Sequence, residues 1–311
     1  MPLDSELQIF ERFALPDFAD IVGVRRWAQS FSAMAGLLPA ELTRDIEISD
    51  QTIPGPAGAP AVSVRIYRPL STLTSAAPVL LYFHGGSFVM GDLDTDHRPC
   101  LQYARDARAV VVSVQYRLAP EHRFPAGVED CYAALLWLAH NAVELGIDTQ
   151  RIAVGGSSAG GTLAASVAIM ARDRNGPAPV LQLLIYPAFD DRMTAQSING
   201  AERRYGVTRG VVGHMWRHYL GESGIASSPY AAPARVTDLT DLAPAYIEAG
   251  ELDPLRDETI DYALRLLQAG VSTDLRVLAG APHAFDMVTT AAITQRAFAD
   301  RAVALRNAFA Q

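Results

Sequence analysis

Residues 154–161 read Val-Gly-Gly-Ser-Ser-Ala-Gly-Gly and lie between a short β-branched run, Arg-Ile-Ala-Val at 151–154, and an alanine-rich segment, Thr162–Arg172, of helical composition. A strand that turns on glycines directly into a helix is used by few folds, and the glycine spacing separates them. A P-loop needs a lysine after its last glycine, but Gly160 is followed by Gly161 and Thr162. A dinucleotide fingerprint needs glycines at i, i+2 and i+5; from Gly155 the second falls on Ser157, and from Gly156 on Ser158. The spacing that fits is G-x-S-x-G, with Gly156, Ser158 and Gly160: a serine on a strained strand-to-helix turn, where only very small residues two positions away avoid collision. Ser157 has Ala159 two residues on and fails that spacing. With glycine at 23 of 311 positions, chance alone supplies about 0.1 such matches in the chain, so the flanking strand and helix carry the argument.

The rest of the chain agrees with that junction. Four β-branched runs come first: Arg-Asp-Ile-Glu-Ile-Ser, Val-Ser-Val-Arg-Ile-Tyr, Val-Leu-Leu-Tyr-Phe and Val-Val-Val-Ser-Val. The first two alternate apolar and polar residues, as half-exposed edge strands do, and the next two are continuously apolar, as buried strands are. A helical pattern follows at 126–145, and after the glycine turn come the strand Val-Leu-Gln-Leu-Leu-Ile-Tyr, the strand at 245–250, a helix at Asp257–Ala269, the strand Thr-Asp-Leu-Arg-Val-Leu and a terminal helix after Thr289. Alternating strands and helices predict an α/β fold with a mostly parallel, doubly wound sheet. Two stretches stand outside the alternation. Residues 1–40 place Leu7, Phe10, Phe13, Phe18, Val22 and Trp27 at helical spacings, and Phe189–Asp241 carries one helix, Val211–Leu220, among polar and Gly/Pro segments and reads as an insertion.

Composition excludes several functions. The formal charge of −8 is spread along the chain with no basic run, so nucleic acid is not an expected partner. Apolar runs are strand-sized, too short to span a bilayer, and the acidic start Met-Pro-Leu-Asp-Ser-Glu lacks the basic and apolar segments of a secretory signal. The expectation is a cytoplasmic protein with no stable membrane anchor. Cys100 and Cys131 have no zinc or redox spacing and read as buried free thiols. His214 and His218 stand i, i+4, but Met215 occupies the place of the glutamate a metalloprotease needs and no third ligand suggests itself, so no metal is expected.

A serine hydroxyl is unreactive near neutral pH unless a base takes its proton, so Ser158 requires a histidine and an orienting carboxylate, in the chain order Ser, Asp, His. Asp253, in Glu-Leu-Asp-Pro-Leu-Arg-Asp, follows the strand ending near Gly250, and His283, in Ala-Pro-His-Ala-Phe, follows the strand ending near Ala279. Both fall past the carboxyl ends of strands, the edge where such sheets bind ligands. Singly, Asp253 reads equally as a helix cap and His283 as a surface residue; order and placement together favour the catalytic reading, with Asp257 and Glu258 as competing candidates for the acid. The charge developing on a carbonyl oxygen also needs backbone donors. His-Gly-Gly-Ser-Phe at 84–88 follows the third strand and offers the amides of Gly86 and Ser87, with Gly85 beside them, joined by Ala159 after the nucleophile. Phe31, Met34, Phe88, Met215, Trp216, Tyr219 and Phe285 are candidates to line an acyl pocket, against the plainer reading that such residues are core.

Five motifs in order, His-Gly-Gly-Ser-Phe, Tyr-Arg-Leu-Ala-Pro-Glu-His-Arg-Phe-Pro-Ala, Gly-Ser-Ser-Ala-Gly-Gly, Asp-Pro-Leu-Arg-Asp-Glu and Pro-His-Ala-Phe, make the chain resemble the hormone-sensitive-lipase-like branch of the α/β-hydrolases, bacterial carboxylesterases. The resemblance implies an eight-stranded core with helices on both faces under a helical cap: cap helices at 1–45, core at 46–189, cap insertion at 190–235 and core again at 236–311. It implies no cofactor, a small-molecule ester as substrate and hydrolysis through an acyl-enzyme; dimers occur in the family, which leaves a homodimer open. Two positions depart from the pattern: Ser87 stands where a third glycine is usual, and Ser157 where Asp or Thr is common. Alternatives are a lipase for longer acyl chains or an amidase, and a non-catalytic receptor of the gibberellin-receptor kind; those receptors lack the histidine that this chain keeps at 283.

Overall fold

The computed structural model describes residues 1–35, 38, 40–72, 76–199, 205–222 and 228–310, with the side chains of 31–35 and 40 set aside. Eight strands form one sheet: β1 (Ile46–Ile53), β2 (Val62–Pro69), β3 (Ala77–Phe83), β4 (Val110–Gln115), β5 (Ile147–Ser157), β6 (Leu181–Ile185), β7 (Ala245–Gly250) and β8 (Thr273–Leu278). Their order across the sheet is β1-β2-β4-β3-β5-β6-β7-β8; β1–β2 and β2–β4 pair antiparallel and every other pair is parallel. The helices are α1 (Ile21–Ala35), α2 (Ala40–Thr43), α3 (His97–Ala107), α4 (Ala126–His140), α5 (Ala159–Asp173), α6 (Gln196–Asn199), α7 (Arg209–Leu220), α8 (Arg256–Gln268) and α9 (Ala292–Phe309).

The continuously apolar strands are covered on both faces, as their composition predicts. Val79, Leu81 and Phe83 of β3 point into a core shared with α4, α5 and α8, while Leu80 and Tyr82 point into a second core shared with α3 and α9. Successive side chains of a strand face opposite ways, so β3 must be apolar at every position to satisfy both layers. The alternating pattern of β2 does not make it an edge strand: it lies between β1 and β4, and only β1 and β8 are edges. A third cluster joins Phe18 and Val24 of the N-terminal segment to Val89 and Ala119, with Val211 of α7 against it. Arg25 of α1 donates to the carbonyls of Val89 at 2.8 Å and Ala119 at 2.9 Å and pairs with Glu121 at 2.6 Å. The N-terminal segment is thereby fastened to the loops after β3 and β4.

From β3 the chain runs outward to β4 and then back across β3 to β5, so β3 and β5 are neighbours whose following loops leave in opposite directions. The crevice at their carboxyl ends is the switch point where open α/β sheets bind ligands. Among the described residues no helix is long and apolar enough to cross a membrane.

Candidate active site

Ser158 is the single residue between β5 and α5, with φ 53° and ψ −118°, a backbone region that costs a side-chain-bearing residue of order 1–3 kcal/mol and persists only where its surroundings enforce it. The enforcement comes from the glycines. A Cβ on Gly160 would stand 1.9 Å from the Phe83 carbonyl oxygen, and one on Gly156 would stand 2.4 Å from the same oxygen and 2.4 Å from the Gly160 carbonyl carbon. The turn is thus pressed against the end of β3, and its amide at Ser158 donates to the Ile185 carbonyl at 2.8 Å.

Three side chains from three loops meet here. Ser158 Oγ lies 2.9 Å from His283 Nε2, and His283 Nδ1 lies 2.7 Å from Asp253 Oδ2. Asp253 Oδ1 accepts the Leu255 amide at 2.8 Å, and the Leu252 amide donates to the Ala281 carbonyl at 2.9 Å, so the loops after β7 and β8 are fixed to each other as well as to the imidazole. Asp253 and His283 are 2% and 7% exposed, enough shielding to strengthen the bonds between them.

The loop after β3 turns sharply, with φ 121° at Gly86, 55° at Ser87 and 62° at Phe88. A Cβ at Gly86 would stand 2.1 Å from the Met90 carbonyl oxygen, so position 86 needs glycine both for its φ and for its space. Ser87 takes the left-handed backbone at a cost of roughly 1–2 kcal/mol that a glycine would avoid. Ala159 opens α5, and a first-turn amide has no partner within its own helix. Gly85 is a correction to the expected set of donors: its amide is already given to Asp96 Oδ2 at 3.2 Å, leaving Gly86, Ser87 and Ala159 as the candidates.

Of the expected pocket residues, Phe88, Met215, Trp216 and Tyr219 are buried in one core cluster, with Phe88 stacked on Tyr219 at 3.9 Å and 9°. This stack seats α7 directly on the loop after β3. Phe285 does not join them; it packs in the opposite layer, edge-on to Tyr186 and beside Arg301. The side chains of Phe31 and Met34 fall outside the described residues. His218 Nε2 meets the Phe18 carbonyl at 2.7 Å, tying α7 to the N-terminal segment, and among the described residues no group of three or more His, Cys, Asp or Glu side chains could hold a metal ion.

Five polar residues around the site escaped sequence reasoning. Asp96, before α3, accepts from Ser157 Oγ at 3.0 Å, and its pKa is pushed up by burial against the opposing pull of His84, Ser157 and Gly85. Tyr186 lies edge-on to the His283 ring at 4.8 Å and donates its hydroxyl to Asp286 at 2.7 Å. Asp286 pairs with Arg301 at 2.8 Å, and Arg301, fully buried on α9, also pairs with Glu248 of β7. The signals were present in part: Glu248 interrupts the apolar run Ala-Tyr-Ile-Glu-Ala-Gly, and Asp-His-Arg-Pro is a helix-start pattern that announces α3.

The fold and the three converging side chains define a hydrolase of the α/β class, and comparison with known proteins agrees. A family model described as alpha/beta hydrolase fold matches residues 80–287. The esterase LipI of Mycobacterium tuberculosis is 46% identical over 235 residues, 74% of this chain and 72% of that protein. The ethyl acetate hydrolase of Pseudomonas putida is 35% identical over 289 residues, 87% of this chain and 91% of that protein. Among solved structures, a bacterial heroin esterase superposes with a TM-score of 0.94 at 41% identity, covering 99% of this chain and 98% of its own. The chain belongs to the hormone-sensitive-lipase-like family of α/β-hydrolases and is a carboxylic ester hydrolase.

Proposed function

We propose that this ester hydrolase is a serine carboxylesterase for small to medium, fairly apolar esters, with Ser158 as nucleophile, His283 as proton carrier and Asp253 as the group that orients the imidazole. The reading rests above all on the unbroken chain Ser158 Oγ, His283, Asp253, with steps of 2.9 and 2.7 Å, on a serine whose backbone is strained toward the crevice.

The chemistry follows from that order. His283 Nε2 accepts the Ser158 proton as Oγ attacks the ester carbonyl, and Asp253 stabilises the imidazolium that forms. The carbonyl oxygen, now negative, takes the amides of Gly86, Ser87 and Ala159, each donor worth about 3 kcal/mol in the transition state. The tetrahedral species collapses to the acyl-enzyme as the imidazolium returns its proton to the leaving alcohol. Water then repeats the sequence with His283 as base, and the acid is released.

The size limit is supported by a relative whose name specifies ethyl acetate. Residues 1–45 and 190–235 are assigned to the cap, because Phe18 and Val24 pack on Val89 with Val211 against them. A cytoplasmic location and a homodimer complete the reading; cell fractionation tests the first and sedimentation velocity the second.

Ser158→Ala is expected to abolish hydrolysis of p-nitrophenyl acetate together with fluorophosphonate labelling, by at least ~10³-fold in kcat. Labelling that persists, or that moves to Ser157, overturns the assignment. A series of p-nitrophenyl esters of rising acyl length is expected to lose kcat/KM beyond medium chains; a steady rise to long chains at an interface would instead indicate a lipase.

A further inference from the structure

The residue that opens α3 does not cap it. Asp96 occupies the N-cap position, where a carboxylate ordinarily accepts an amide of the first turn, yet its side chain makes no capping bond. One oxygen, Oδ2, is instead committed to three donors from the neighbouring strands: Ser157 Oγ at 3.0 Å, the Gly85 amide at 3.2 Å and Tyr82 Oη at 3.2 Å. Tyr82 belongs to β3 and Gly85 to the loop that follows it, while Ser157 ends β5 and precedes Ser158. A single atom therefore fastens the loop carrying Gly86 and Ser87 to the turn carrying the nucleophile. The two backbones pass closely enough that a Cβ on Gly85 would stand 2.9 Å from Ser157 Oγ.

The Gly85 residue is gripped from its other end too. Its carbonyl oxygen meets His84 Nδ1 at 2.6 Å, and the His84 ring is buried and stacked on Tyr116 at 4.3 Å. In a trans peptide unit the carbonyl and the following amide point in opposite directions, so holding the Gly85 carbonyl inward turns the Gly86 amide outward. Asp96 fixes the preceding peptide unit, which sets the φ hinge about which that aim could drift.

We propose that Asp96 is a positioning residue for ester hydrolysis, holding the Gly85 amide and Ser157 so that the Gly86 and Ser87 amides face the oxygen of a substrate attached to Ser158. The proposal rests on the serine-esterase reading above. It uses Asp96 as an acceptor and not as a charge, so an asparagine, whose carbonyl can meet the same donors, should serve.

The experiment measures p-nitrophenyl acetate hydrolysis, and inhibition by an alkyl trifluoromethyl ketone, for wild type, Asp96→Ala and Asp96→Asn, with melting curves for all three. Asp96→Ala is expected to lose about 100-fold in kcat with KM within about 3-fold of wild type. Its ketone Ki should weaken in proportion to kcat/KM, because the bound ketone carries the oxyanion that the loop must meet. Asp96→Asn should restore most of the loss. The proposal is overturned if Asp96→Ala turns over like wild type, if its ketone Ki is unmoved, or if Asp96→Asn falls as far as Asp96→Ala. Should Asp96→Ala fail to fold, Asp96→Asn with Ser157→Ala decides: near-wild activity in the first with about a tenfold kcat loss in the second supports it, and full activity in both overturns it. A wild-type protein that neither hydrolyses the ester nor labels at Ser158 would condemn the esterase reading itself.

Discussion

On the oxyanion flank of Ser158 burial drives His84 and Asp96 toward their neutral forms, whereas on the imidazole flank the buried Arg301 guanidinium is held in its charged form. Burial pushes the pKa of His84 down and that of Asp96 up; His84 Nδ1 meets the Gly85 carbonyl, and Asp96 accepts from two hydroxyls and an amide. Across the nucleophile, burial opposes the charge on Arg301, yet Glu248, Tyr103 and Asp286 raise its pKa well above the ordinary value, and it lies between the two carboxylates. The difference matches the charge that each flank must face. A carbonyl oxygen turning negative is best met by oriented dipoles, and a buried anion beside it would repel it. An imidazole turning positive tolerates two carboxylates around one guanidinium nearby, and the Asp286–Tyr186 bond places that cluster one aromatic ring from His283.

The contrast can be broken at either flank. The largest effect is expected for Arg301→Met, which strands Glu248 and Asp286 without their cation; removing one partner of a buried ion pair costs about 3–5 kcal/mol. Differential scanning calorimetry should show a large fall in melting temperature, and a variant melting within a degree of wild type would show that the cluster carries no charge to balance. Tyr186→Phe keeps the ring against His283 but removes the hydroxyl from Asp286, and urea unfolding should register a loss of about 1 kcal/mol while turnover stays within a few-fold. If kcat collapses instead, the hydroxyl and not the ring edge orients the imidazole. Ser87→Gly relieves a left-handed serine and should gain roughly 1 kcal/mol in the same assay, with ester turnover little altered; a rise by orders of magnitude would mean that Ser87 spoils the oxyanion loop. The smallest effect belongs to the Arg25–Glu121 tether. Its hydrogen bond to Arg25 lowers the Glu121 carboxyl to about 2, so its stabilisation is complete above the ordinary glutamate value near 4.3 and fades as pH falls toward 2. Both partners are partly exposed, and under about 1 kcal/mol is at stake, measurable as a small difference between wild type and Glu121→Gln at pH 6 that narrows in acid.

How much of this was legible beforehand depended on the range of the interaction. The strands at 245–250 and 273–278 were readable to the residue, because a period-2 or continuous apolar run is a local property. The glycine turn was readable because its spacing is written in five consecutive residues, although the closest collision it avoids is with the Phe83 carbonyl of β3. Helix α3 was missed because its start signal, Asp-His-Arg-Pro, opens a short segment, His97–Ala107, with few strongly apolar residues to mark a helical period. β2 was misread as an edge because an alternating strand says that one face is wetter, not how many neighbours it has. The neutral and ionic scaffolds were invisible for a different reason: Asp96 meets Ser157, and Arg301 meets Glu248, across separations that no periodicity encodes.

The crossing of the chain from β4 back to β5 has a consequence in time. The strand bearing the oxyanion loop and the strand bearing the nucleophile become neighbours only after the chain between them has folded outward and returned. Pairings between parts distant along the chain form late, because the entropy of closing the intervening loop must be met before they yield contacts. A nascent or partly refolded molecule therefore holds its serine without the Gly86 and Ser87 amides that would complete the oxyanion site. Recovery of turnover during refolding should lag behind recovery of helix, so that hydrolysis reports the closing of the sheet's centre.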